Sequence, residues 1–224
     1  MRSRLLSAGM SAVAALTVLA LGGCGSSDDW SEPHPEPSAV GALGAGFSDP
    51  SAPPAPEATI TPRPGSWDRV RPSKGYRVVL LTTGEDRRTT TLVDAVTEWA
   101  GAEHVSLRTV RPAKPDRFVP DIADAVAMKP DLIISAGDDL VDPLAMVTPN
   151  HLDQQFLVVG AELAEPTANV TAADWTGASF RGEGLGMSSR YDAASFTPER
   201  AARAVRAGVA AVLTGLTGIV VWLD

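Results

Sequence analysis

Apolar and polar positions change their period along this chain, and the changes mark its elements. Arg77–Thr82 reads Arg-Val-Val-Leu-Leu-Thr, a β-branched apolar run between Gly75 and Gly84, which predicts a strand. From Arg88 to Ala100, Leu92, Val93, Val96 and Trp99 fall at helical spacing, with Gly101 as a stop signal. Val105–Val110 alternates and predicts a second strand. Phe118–Met128 carries Val119, Ile122, Ala123 and Val126 on one face, with Pro120-Asp121 in the first turn and Pro130 beyond the end. Lys129-Pro-Asp-Leu-Ile-Ile-Ser-Ala-Gly-Asp-Asp139 is the focal stretch: a short apolar run between breakers predicts a strand buried on both faces. A short helix over 140–147, a strand over 155–160 and a weaker strand over 169–173 follow.

Strands alternating with helices of about ten residues mean βαβ units and a parallel sheet, here in a domain expected over 75–224. The fold class expected is α/β: a three-layer, Rossmann- or flavodoxin-like parallel sheet, with about 150 residues to build its core. After it the pattern loosens. Residues 175–197 are rich in Gly and Ser, with Phe180, Met187, Tyr191 and Phe196 scattered through them. Thr197-Pro-Glu-Arg200 then opens a helix to about Leu213, with Thr as cap and Pro at the first position. Gly215 and Gly218 separate it from a strand over 219–223. Ala207–Leu223 is also 17 uncharged residues in a row, just long enough to span a bilayer, a second reading of the same stretch.

The first 74 residues differ in kind. Met1–Gly23 has Arg2 and Arg4, then an apolar run from Ala12 to Leu21 broken only by Thr17, which is the layout of a secretory signal. Leu21-Gly22-Gly23-Cys24 resembles the lipobox of bacterial lipoproteins. That resemblance implies cleavage before Cys24 and a diacylglycerol on its thiol, hence a protein held at the extracytoplasmic face of the cell membrane by its lipid. Cys24 is the only cysteine, so no internal disulfide is expected. One acyl chain anchors marginally and two anchor firmly. Residues 24–74 hold ten of the 18 prolines among Ser, Gly, Ala and acids, and no apolar periodicity survives them. The expectation is a disordered tether with a mean span of about 40 Å, in which Trp30 and Trp67 are incidental or weakly docked.

Charge narrows the partners. Loss of residues 1–23 removes Arg2 and Arg4 and no acid, leaving 17 basic and 27 acidic side chains, a formal charge of −10. Such a balance argues against nucleic acid and anionic headgroups. His34, His104 and His151 stand apart, so no metal site is expected, and no cofactor motif is present. Gly177-Ala-Ser-Phe-Arg181 lacks the final Gly of a nucleophile elbow, and Gly182-Glu-Gly-Leu-Gly186 lacks the spacing and preceding strand of a phosphate loop. No nucleophile has a visible base, and no enzymatic activity is expected. Asn169-Val-Thr171 matches a glycosylation acceptor, which the bacterial lipobox makes a chance match.

What remains is the set of loops after the strands, where open α/β sheets bind ligands. Thr83, Gly84 and Glu85 follow the first strand, Gly137, Asp138 and Asp139 the third, and Glu162 the fourth. They are the candidate ligand residues, for cations, amines or hydroxyls. The alternative is that these acids are helix caps and solvated loop ends.

The order of the pieces resembles the basic membrane protein family, nucleoside-binding lipoproteins of ABC importers. Pro130–Gly137, Gln154–Gly160, Asn169-Val170, Phe180-Arg-Gly-Glu183, Ala207–Ala211 and Thr217–Val221 carry the resemblance, over about residues 76–224. It implies one lobe of a periplasmic-binding-protein fold, a small polar solute or nucleoside as ligand, and an importer or another envelope protein as partner. Two departures reduce the site. Family members close two lobes on the ligand, whereas here 219–223 would be the first strand of the second lobe. The loop after the first strand of family members brings an aromatic ring, and Gly84–Arg88 brings none. A reduced or vestigial ligand site is one expectation, and an interaction or scaffold lipoprotein without a solute is the other.

Overall fold

Leu132–Ala136 is a strand whose five residues are all buried, as its unbroken apolar run requires. It sits at the centre of the computed structural model, which describes residues 30–178 and 180–224. Among these the elements are β1 (Ala39–Val40), β2 (Thr59–Ile60), β3 (Arg71–Pro72), β4 (Arg77–Leu81), α1 (Arg87–Ala102), β5 (Ser106–Val110), α2 (Phe118–Ala127), β6 (Leu132–Ala136), α3 (Val141–Val147), β7 (Phe156–Val159), β8 (Val170–Asp174), α4 (Pro198–Leu213) and β9 (Val220–Trp222). The signal segment and Cys24 lie outside the described residues.

Seven strands form one sheet in the order β2-β9-β8-β7-β6-β4-β5, and every neighbouring pair is parallel. Alternate residues feed two layers. Val78, Leu80, Leu132, Ile134, Leu157 and Val159 pack with α1 and α4. Val79, Leu81, Ile133, Phe156 and Val158 pack with α2 and α3. Gly208 lets α4 sit flat on the sheet, since a Cβ there would come within 2.6 Å of Leu157 Cδ1. The β7–β8 connection, 160–169, carries no helix, so the α2/α3 layer reaches only Val170 of β8 and stops short of β9 and β2.

Every element expected from residue 77 onward is present. α4 ends at Leu213 and a turn leads into β9, so 207–223 is helix, turn and strand. No described helix is long and apolar enough to cross a membrane. β9 pairs with β8 inside the same sheet and does not begin a second lobe. Asn169 is buried, and its amide donates to the carbonyls of Thr148, His151 and Gln154, which leaves no free acceptor for a glycan.

The segment expected as a disordered tether differs from that expectation between residues 30 and 74. It is laid along the domain as a strap. Trp30, Phe47 and Trp67 are buried at 8%, 2% and 4% exposure, each inside one of the two hydrophobic layers. Trp30 Nε1 donates to Ser106 Oγ at 2.8 Å, and His34 Nε2 lies 2.7 Å from Asp131 Oδ1. Arg71 reaches both oxygens of Glu103. Farther round, β2 pairs with β9 as an edge strand. Prolines deny the strap periodicity, but a few large anchors and backbone bonds to the domain hold it without any.

Candidate functional site

In the 2-1-3 part of a doubly wound sheet the chain reverses direction between the first and third strands of the series, here β4 and β6, and the crevice at their carboxyl ends is where ligands are accommodated. Gly84 and Gly137 shape this crevice. Both have positive φ, +81° and +94°, and a Cβ on Gly84 would stand 3.6 Å from the carboxylates of both Asp86 and Asp139.

Asp86 starts α1. Its carboxylate accepts from the N–H groups of Arg88 at 2.9 Å and Thr89 at 3.2 Å, and from the Thr89 hydroxyl at 2.6 Å. Loss of water around it would raise its pKa, but the Thr89 and Arg88 donors outweigh that and hold it below the usual range. Asp138 does not cap α3, whose N-cap is Leu140 with no side-chain bond. It pairs instead with Arg88, Nη1 to Oδ2 at 2.7 Å. Asp139, next to it, is held above its usual range, first because crowding removes water and then by repulsion from Asp138.

Thus Gly84, Gly137, Asp138 and Asp139 come together as the spacing implied. Thr83 turns away and donates to the Pro112 carbonyl at 3.2 Å, which ties the β4 and β5 loops. Glu85 is exposed. Glu162 is buried apart from the crevice, 3.4 Å from Arg181 Nε, while its N–H donates to the Phe180 carbonyl. The acids of these loops therefore do not form a single cluster. The capping alternative holds for Asp86 alone.

The residues that complete the crevice come from the Gly/Ser-rich segment 175–197, which crosses the carboxyl edge as a lid. Trp175 Nε1 donates to Ser195 Oγ at 3.0 Å and Gly177 N–H to Ser189 Oγ at 2.9 Å within the segment, and Glu183 N–H ties it to the Asp142 carboxylate. The Arg88 guanidinium lies 6.0 Å from the Tyr191 ring and 5.8 Å from Phe196, and Phe196 meets Trp175 edge-on at 5.1 Å. Two cavities open here. One of about 400 Å³ lies between the starts of α1 and α4, beside Tyr191 and Phe196. The other, about 340 Å³, is lined by Arg88, Asp138, Phe180, Met187 and Tyr191. At this wall Arg88 Nε and Asp138 Oδ1 are buried without a hydrogen-bond partner, the former 3.7 Å from the Asp86 carboxylate.

Tyr191 thus brings an aromatic ring from the lid to the crevice. Arg88, Tyr191 and Phe196 were the residues missed. Arg88 is hidden in sequence among charged residues at a helix start, and the rings sit in a segment with no period. The Pro198 helix signal just after them is the one hint, since it places their segment at the same sheet edge.

No family model matches the chain, and no curated protein sequence matches it. Among solved structures it is similar to a solute-binding protein of an ABC transporter system from Aeropyrum pernix K1, at 19% identity and a TM-score of 0.42, over 46% of this chain and 29% of that one. A fragment provisionally described as a lipoprotein, from Peptoclostridium difficile 630, is 17% identical with a TM-score of 0.46, over 63% of this chain and 99% of the fragment. GanP, a glucose-galactose binding protein from Geobacillus stearothermophilus, is 16% identical with a TM-score of 0.37, over 67% and 58%. The chain thus spans less than a third of the Aeropyrum protein's length, and likenesses at this level carry no functional argument.

Proposed function

We propose that this is a lipid-anchored protein of the cell envelope that holds a small polar solute of the nucleoside type in the β4–β6 crevice, as a relative of the basic membrane proteins. The observation that carries this reading is the convergence of the Arg88–Asp138 pair, Phe180 and Tyr191 on the 340 Å³ cavity. A planar base needs a ring or cation to stack on and paired polar groups to orient it, and the crevice has both. Support also comes from where the family-like segments fall: on β6, β7, β8, the lid, α4 and β9, in the order the resemblance implies. Tyr191 is 45% exposed, so a ligand stacked on it keeps much of its surface in water and affinity is modest. The role is binding, with no catalytic step. The partner is an importer component or another envelope protein, and the anchor is acylated Cys24 at the extracytoplasmic face.

Thermal denaturation of the protein with adenosine, guanosine and uridine at millimolar concentration tests the reading. Stabilisation is expected, and it is expected to vanish in Tyr191→Ala and Arg88→Ala. Unchanged melting with all three, and with small polar solutes generally, removes the solute-binding role.

A second reading, a scaffold that binds an envelope protein through its lid, is favoured by three large apolar side chains exposed there: Leu185 at 55%, Met187 at 59% and Tyr191 at 45%. Crosslinking in cells from a photoreactive residue at Met187 is expected to trap one partner on this reading; a ladder-free, monomeric pattern counts against it.

A further inference from the structure

At the far end of the same sheet edge, the missing β7–β8 helix leaves a groove of about 410 Å³ lined by Thr59, Thr61, Glu162, Arg181, Ser188 and Trp222. None of its lining residues belongs to the crevice at β4 and β6. Its floor follows from register. Asp174 at the end of β8 is the partner of Trp222 at the end of β9, so both side chains rise from one face of the sheet. That is the face which α2 and α3 leave bare beyond Val170 of β8.

Three features make this a built site. Trp222 is half-buried at the wall, while the other four tryptophans are buried in the protein's interior. Glu162, 4% exposed, reaches the groove and is balanced by Arg181 at 3.4 Å. Beneath them Asp174 is wholly buried, its Oδ1 accepting from the Trp175 N–H at 2.9 Å and its carboxyl also bonded by the Ser188 hydroxyl at the groove wall.

We propose that this groove is a second, separate binding site, for a neutral polyhydroxylated molecule such as a free sugar or cyclitol. An indole face takes the apolar side of a sugar ring, and the Glu162–Arg181 pair with the Ser and Thr hydroxyls offers both donors and acceptors to its hydroxyls. The charge balance excludes ions: Glu162 and Arg181 cancel. Burial lifts the Asp174 carboxyl to about 8 against the pull of the Trp175 N–H, with Glu162 adding repulsion, so it is uncharged at neutral pH. Two acids and one arginine also leave no metal set, in line with the lack of any cluster of metal-ligating side chains among the described residues.

The site is tested on the full chain by titrating D-glucose, D-galactose and myo-inositol, followed by tryptophan fluorescence and calorimetry. At least one is expected to give a saturable signal. Trp222→Ala and Glu162→Gln are expected to weaken it at least about tenfold, a loss of one well-placed contact, while Tyr191→Ala leaves it unchanged. Glu162→Gln keeps the side chain's shape and decides the matter where Trp222→Ala does not fold. Absence of saturable binding by all three probes overturns the proposal. So does binding that survives Glu162→Gln, or binding lost in Tyr191→Ala, which would place the sugar in the β4–β6 crevice. Nucleoside stabilisation that needs Tyr191 and not Trp222 stands or falls independently.

Discussion

Asp174 ends β8 with no exposure to solvent and holds its proton to about pH 8, whereas an Asp in an unfolded chain releases it near 3.9. Between those values the native state binds the extra proton, so this residue's contribution to stability is whole below about pH 4 and declines as pH rises to 8. Asp174→Asn removes the titration. Denaturant unfolding of both proteins at pH 5 and pH 8 is expected to show the variant gaining on the parent by up to about 4 kcal/mol across that window. An equal gap at both pH values would mean that Asp174 ionises in the folded protein. Asp86 is the opposite case, a carboxylate held charged by the donors it caps. Asp86→Ala is expected to lower stability by about 1 kcal/mol at neutral pH, read as a shift in the denaturation midpoint. The same substitution frees Thr89 and loosens the start of α1, which carries Arg88, so nucleoside stabilisation is expected to weaken with it.

Among the elements, the strap gives the sharpest expectation. Trp67 is 4% exposed and meets Phe47 edge-on at 6.4 Å. Trp67→Ala is expected to cost about 3–5 kcal/mol in denaturant unfolding, a loss characteristic of a core position. A tether would show no change. The strap also explains what could be read from the chain alone. From β4 to β9 each element carries its own signal: a β-branched run between breakers, a helical stripe, or a Thr-Pro start. Local pattern and tertiary burial agree there, so the sheet was legible. The strap has no period because single residues, Trp30, Phe47 and Trp67, anchor it, and each contact is with chain far away in sequence. The binding crevice was half legible for the same reason. Gly84, Gly137, Asp138 and Asp139 follow from strand ends, which any parallel sheet brings to one edge. Arg88 meets Tyr191 and Phe196 only because the lid is folded on itself through Ser189 and Ser195 and tied to Asp142, and nothing local encodes that.

For the whole molecule, the anchor at Cys24 is open to a direct check. Cys24→Ser is expected to move the protein from the membrane pellet to the soluble fraction after cell fractionation, with its unfolding midpoint unchanged. Retention in the pellet would point to an uncleaved signal or a partner as the anchor.

The strap changes what such an anchor does. A tether of some fifty residues would let the domain tumble freely above the bilayer. Trp30, however, is fixed beside Ser106 at the start of β5, and His34 beside Asp131 just before β6, both at the amino edge of the sheet. Only five residues separate Trp30 from Cys24, and even fully extended the six steps reach about 20 Å. A domain of this length is about 40 Å across. With Cys24 acylated as proposed, the leash would be shorter than the body it holds, and the domain would stand on its amino edge, unable to roll over and lay its mouth against the lipid. On that proposal both openings at the carboxyl edge would look outward, a posture suited to meeting molecules arriving from outside, and any hand-off to a membrane partner would have to take place sideways.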